Sequence, residues 1–363
     1  MNDPNRRTAM TASRDYATPA VPGSTPNAGS RPAGAALPRR LSIKFGLAAA
    51  AGLLVVIGLV VHQGLPQVGE TLGRAGWGLG LVCLLHLPPL FCSSLAWRVL
   101  LSRHWPRATW LFVGARWIRE AVNTLLPVAQ IGGEVVGARV LTFYGASPAL
   151  GGASVVVDLT LEVLTQFVFT LLGLAFLVGS GRYDGTVRAL AIGLVTVVPL
   201  LLGFVLAQRW GLFGLLERLL RRIADKRPAL GLAGLTGLHD AIQELYRDFR
   251  GVVWSGSLHL LSWLLTSAEV WLALLLMGHP VSFQHALVLL SLGHAIRSAA
   301  FLIPSGLGAQ EAGFMVLGAM YGLPPGVGLA LSLAIRLREV VLGVPALVAW
   351  PFLEGRRVLA NRW

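Results

Sequence analysis

An all-α, polytopic membrane fold is what this sequence predicts, and three observations carry it. Hydrophobic residues make up 55% of the chain, charged residues only 13%, and the mean hydropathy is +0.67. A soluble domain is about 45–50% apolar and about 25% charged. Six windows, 43–61, 77–97, 151–178, 187–208, 252–277 and 326–350, are each apolar enough for a membrane span, which takes roughly 20 helical residues. The basic residues concentrate in the segments between these windows, as the positive-inside rule arranges them.

Residues 1–42 are rich in Pro, Gly, Ser, Ala and Thr and carry Arg6, Arg7, Arg14, Arg31, Arg39 and Arg40, which reads as a disordered, basic cytoplasmic tail. The following run, 43–61, is too long for a signal-peptide core and reads as a retained first span. The connections 62–76 and 179–186 carry only Arg74 and Arg182 among basic residues, so they are expected outside. The span 77–97 holds the two cysteines, Cys83 and Cys92, without metal or redox spacing.

The stretch 209–250 is a basic cytoplasmic linker. Its residues 211–227 set Leu212, Leu215, Leu216, Leu219, Leu220 and Ile223 against Arg218, Arg221, Arg222, Lys226 and Arg227, the pattern of an amphipathic helix lying on an anionic leaflet. Residues 356–363 form a second basic tail. The net charge of +13 therefore reports membrane topology. No aromatic-interleaved basic motif points to nucleic acid.

Sliding the chain by 177 residues superposes two segments without a gap. The matches include Pro127/Pro304, Glu134/Glu311, Tyr144/Tyr321, Gly145/Gly322, Pro148/Pro325, Gly151/Gly328 and Glu162/Glu339. Repeat 1 covers about 110–178 and repeat 2 about 284–350. Each copy reaches a proline and a Gly-rich stretch, where the helix should break. The expectation is a re-entrant hairpin at 110–142 and another at 284–320, followed in each copy by a full span. The fold is then six spans plus two hairpins, or eight spans if the hairpins are counted. Either count leaves all basic segments cytoplasmic and relates the repeats by inversion, the arrangement of many secondary transporters.

Among the charged residues inside the predicted bundle are Arg119, Glu120, Glu134, Asp158, Glu162, Glu269, Arg297, Glu311, Arg336, Arg338 and Glu339. At about 2.5–3.5 kcal/mol for each central charge, leaving them unpaired would cost roughly 30 kcal/mol, so they must be paired, wet or neutralised. Asp158 and Glu162 share a helical face with Ser154 and Gln166, while Ser332, Arg336 and Glu339 share one in repeat 2 and Arg338 points away. Two readings stand: helix-holding ion pairs, or a polar route for a lipid headgroup.

The candidate pathway residues are Glu134, Glu311, Arg297, Asp158, Glu162, Arg336 and Glu339. Glu134, Arg297 and Glu311 are expected at the polar end of a cavity, and the other four along its wall. Arg297 could pair with Glu311 or bind a phosphate. Arg119 is a weaker counterpart, and His294 reads as a satisfied polar residue. No catalytic set, metal site or cofactor is indicated.

The stretches "NTLLPVAQIGGEVVGARVL", "ASVVVDLTLEVLTQ" and "FLIPSGLGAQEAGF" resemble the lysylphosphatidylglycerol synthase transmembrane-region family, and within it the hopanoid-biosynthesis-associated branch. The resemblance covers about residues 43–355. It implies a lipid-translocating inner-membrane domain with a membrane lipid, a hopanoid or an anionic phospholipid, as partner. With no soluble aminoacyl-transferase following in this sequence, lysine transfer is not inherited. The alternatives are a non-transporting partner of lipid-biosynthesis enzymes and an intramembrane enzyme using its carboxylates as acid and base.

Overall fold

The structure, a computed structural model, describes residues 65–126, 132–180, 237–300 and 306–360. The predicted tail 1–42, the spans 43–61 and 187–208, the amphipathic stretch 211–227, the breaks at Pro127 and Pro304 and residues 361–363 lie outside them. All regular structure among the described residues is helical.

The first helix, α1 (Leu65–Ala75), occupies a segment predicted as a plain connection. Val68, Leu72 and Ala75 fall on one side at spacings of four and three residues and pack near Leu329, Ala330 and Ala334, so an apolar stripe converts the connection into a packed helix. The predicted span 77–97 is two consecutive helices, α2 (Gly78–Leu85) and α3 (Leu87–Leu101), meeting at His86. Pro88 and Pro89 open α3. Lacking amide donors, they are tolerated in a first turn but interrupt a continuous helix.

Repeat 1 follows as α4 (Thr109–Leu125), α5 (Gly132–Phe143) and α6 (Pro148–Gly179). The linker's described end forms α7 (Leu238–Arg247), whose Leu238, Ile242 and Leu245 are buried beside α6. The next span, α8 (Phe249–Leu276), leads into repeat 2: α9 (Phe283–Ala299), α10 (Ala309–Met320) and α11 (Pro325–Ala360). The last helix extends past the predicted boundary at 355.

Gly78–Leu101, Pro148–Gly179 and Phe249–Leu276 are long and apolar enough to cross a membrane. Arg336, Arg338 and Glu339 interrupt the apolar run of α11. With 12 residues each, α5 and α10 extend about 18 Å, short of a hydrocarbon core of about 30 Å.

Local geometry recurs at the sequence offset. Gly132–Phe143 and Ala309–Met320 have bounds displaced by the same 177 residues, as do the starts of the long helices at Pro148 and Pro325. Both short helices end on a left-handed glycine, Gly145 (φ 94°) and Gly322 (φ 77°). In one turn Ala146 N donates to Leu141 O at 3.2 Å, and in the other Leu323 N donates to Gly318 O at 3.0 Å. This 6→1 closure satisfies the same orphan carbonyl in both copies. The first helix of each repeat also packs on the long helix of the other: α4 on α11, and α9 on α6.

Candidate functional site

In repeat 1, Arg116 and Arg119 stand one turn apart on α4, while Asp158 and Glu162 stand one turn apart on α6. Spacings of three and four put each pair on one helical face, so the facing rows interlock. Arg116 reaches Asp158 Oδ2 at 3.1 Å and Glu162 Oε1 at 2.5 Å. Arg119 reaches Asp158 Oδ2 at 2.5 Å, Glu162 Oε2 at 3.4 Å and Glu134 Oε2, on α5, at 2.6 Å. Its guanidinium also lies over the Trp97 ring, 5.6 Å from the centroid. His259 Nε2 on α8 completes the setting of Asp158 at 3.0 Å.

The hairpin is tied locally as well. Asn123 Nδ2 donates to Glu134 Oε1 at 3.1 Å, and its Oδ1 accepts from Gly133 N at 2.8 Å. A Cβ on Gly133 would lie 2.2 Å from Arg119 O, so only glycine lets α5 start this close to the backbone of α4.

In repeat 2, Arg297 on α9 donates to Gln310 Oε1 and Glu339 Oε1, each at 2.8 Å. Glu311 accepts from Gly308 N at 2.8 Å, closing the first turn of α10. It also accepts from Ser332 Oγ at 3.1 Å and Arg336 Nε at 3.2 Å. Of the two roles open to Arg297 from the sequence, pairing with Glu311 is not the one found: the pairs are Arg297–Glu339 and Arg336–Glu311. The long helix presents Glu339 to α9, leaving Glu311 to serve its own helix terminus.

A third cluster joins the halves. Arg338 Nη1 lies 2.8 Å from both Glu269 carboxylate oxygens and 2.6 Å from His86 Nδ1. His86 lies between Glu269 Oε2, 3.0 Å from Nδ1, and Glu120 Oε1, 3.0 Å from Nε2. Arg336 and Arg338 thus make their shortest contacts with different carboxylates, Glu311 and Glu269, as their angular separation on one helix favours, and both approach Glu339, at 3.4 and 3.9 Å.

These clusters border one cavity of about 560 Å³, lined from both repeats and from α3 and α8. Of the predicted pathway residues, Glu134, Glu162, Arg297 and Glu339 line it. Asp158 and Glu311 do not: both are fully buried behind the wall and occupied by their partners. Arg336 is turned towards Glu311 rather than the cavity. The lining instead includes Arg116, Arg119, Glu120, His86, Glu269, His259 and Arg338.

Arg119, the weaker candidate, is central to its cluster. Arg116, His86 and His259 escaped the sequence reading. The Arg-x-x-Arg spacing at 116–119, matched to the acidic face of α6, was the available signal for Arg116. Nothing local marks the two histidines, whose carboxylate partners lie 34 and 183 residues away for His86 and 101 for His259. His294 lines the cavity with its ring edge-on to Trp263, centroids 5.1 Å apart. Buried ion pairs of this kind are held by many hydrogen bonds because their desolvation is expensive. A wall of such pairs offers both signs of charge to whatever enters.

The family described as lysylphosphatidylglycerol synthase TM region matches residues 43–346. No curated protein and no solved structure matches the chain.

Proposed function

The chain belongs to the lysylphosphatidylglycerol synthase TM region family, and from that premise we propose that it translocates a polar lipid across the membrane, the headgroup passing through the charged cavity. The observation that carries this reading is the reciprocal packing of α4 on α11 and α9 on α6 around a cavity lined by both repeats. In an inverted pair, such packing has two equivalent arrangements, and exchange between them alternates the open side. The substrate fitting this family setting is a membrane lipid, with a hopanoid-related lipid as the finer candidate. The same reading has the protein in the inner membrane, both termini cytoplasmic, acting as a transporter and not as an enzyme.

The test is leaflet-resolved movement of labelled lipids, including a hopanoid, in liposomes containing the purified protein. Movement that Glu162→Gln and Glu339→Gln lose while remaining folded supports translocation through the seam. No movement of any lipid by folded protein overturns it and favours the non-transporting partner, to be tested by copurification of lipid-biosynthesis enzymes.

A further inference from the structure

The imidazole of His86 has more polar neighbours than one protonation state can serve. Nε2 lies 3.0 Å from Glu120 Oε1 on α4, and Nδ1 lies 3.0 Å from Glu269 Oε2 on α8. Arg338 Nη1 on α11 lies 2.6 Å from the same Nδ1. A neutral imidazole has one N–H and one lone pair, an imidazolium two N–H groups, and a guanidinium only donates. The Nδ1–Glu269 contact therefore needs a proton on Nδ1, whereas the Nδ1–Arg338 contact needs a lone pair there.

Two arrangements resolve the conflict. With Nδ1 protonated, the ring donates to both glutamates and the Arg338 nitrogen withdraws to Glu269. With Nδ1 bare, the ring accepts from Arg338 and keeps a single N–H for Glu120. One proton thus decides which partner holds Arg338. Arg338 shares α11 with Glu339, which Arg297 of α9 grips at 2.8 Å. His86 itself stands at the proline-marked junction of α2 and α3 and lines the cavity. The other charged or titratable groups around the cluster are Glu339, 3.9 Å from Arg338 on α11, Arg116, one turn before Glu120 on α4, Cys83, one turn earlier on α2, and Arg297 and His294, across the cavity on α9.

We infer that His86 is a proton-binding site that couples lipid movement to proton movement, an inference that rests on the translocation reading. A proton enters from one aqueous face, binds Nδ1 and frees Arg338 from the ring; it leaves to the opposite face once the cavity has reoriented. Histidine suits this duty because its charge changes near neutral pH, and the coupling is a difference in proton occupancy between the two arrangements.

The experiment uses proteoliposomes of the full chain with a labelled polar lipid and an internal pH indicator, with and without an imposed pH gradient. The expected result is lipid movement accelerated by the gradient and accompanied by proton movement, both responses being lost in His86→Gln. Lipid movement indifferent to the gradient, or a His86→Gln protein responding as wild type does, overturns the coupling and leaves translocation standing. Absence of lipid movement overturns translocation and coupling together.

Nitrogen-15 NMR of histidine in the same vesicles, with His86 assigned by its loss in His86→Gln, reads the site independently of transport. The ring signal is expected to change between imidazolium and neutral forms as the pH is varied. An unchanging signal overturns the proton site whatever the lipid does. Glu120→Gln retains the ring and is expected to shift the midpoint of that change; an unshifted midpoint also counts against the site.

Discussion

Glu162 and Glu339 occupy equivalent positions on the long helices of the two repeats, and each is held by an arginine from the first hairpin helix of its own repeat. The pairs are Arg116–Glu162 at 2.5 Å and Arg297–Glu339 at 2.8 Å. The arginines themselves are not equivalent: at the repeat offset Arg297 corresponds to Glu120, and Arg116 to Gly293. The same glutamate is thus reached by a guanidinium from a different turn of the hairpin helix. Ion pairing between hairpin and long helix is kept in both halves while the residues that supply it differ.

Asp158 is fully buried and faces Arg116, Arg119 and His259. Asp158→Asn removes the negative charge from between two buried guanidiniums, so it is expected to cost about 3–5 kcal/mol. Chemical unfolding of the purified protein in detergent measures this. A loss below 1 kcal/mol, on the order of an exposed pair, would show that water reaches the cluster and solvates the arginines.

A double-mutant cycle on Arg297 and Glu339 is expected to give a coupling of roughly 0.5–3 kcal/mol, since their side chains are 13% and 5% exposed. The Arg74–Glu70 pair, at 55% and 66%, is the control. Its coupling should fall at about 0–1 kcal/mol and shrink with added salt.

Gly133→Ala places a methyl group 2.2 Å from the Arg119 carbonyl oxygen. Overpacking of this sort costs about 1–3 kcal/mol, and here it pushes α5 away from the α4 backbone. Gly69→Ala, on α1 with nothing within 4 Å of the added carbon, should stabilise by roughly 0.5–1 kcal/mol. Thermal unfolding of the two variants should move in opposite directions.

The proposed inversion predicts opposite exposure of equivalent turns. Pro148 and Pro325 are both exposed at the first turn of their long helices. With Cys83 and Cys92 replaced, Pro148→Cys should react with an impermeant thiol reagent only from the cytoplasmic side, and Pro325→Cys only from the opposite side. Labelling of both from one side would make the repeats parallel and remove the basis for alternating access.

Much of the scaffold was legible in the residues. The offset of 177 residues anticipated helices whose described bounds repeat at that offset. The shared face of Asp158 and Glu162 also follows from helical periodicity alone. The helix at Leu65–Ala75 was not recognised because 11 residues with three well-placed apolar side chains make too short a pattern beside spans twice that length. The predicted amphipathic stretch 211–227 and two predicted spans lie outside the described residues.

What the sequence determined by itself is therefore the medium and the helical class, together with an offset at which the described helix bounds recur, because each depends on hydropathy or backbone preference within a short stretch of chain. Only the tertiary structure decided which charges meet. Arg116 finds Glu162 across 46 residues, Arg338 finds Glu269 across 69, and His86 finds Glu269 across 183. Coulomb attraction and desolvation act through space, so a charge's partner depends on how the helices are packed, and its separation along the chain carries no record of that choice.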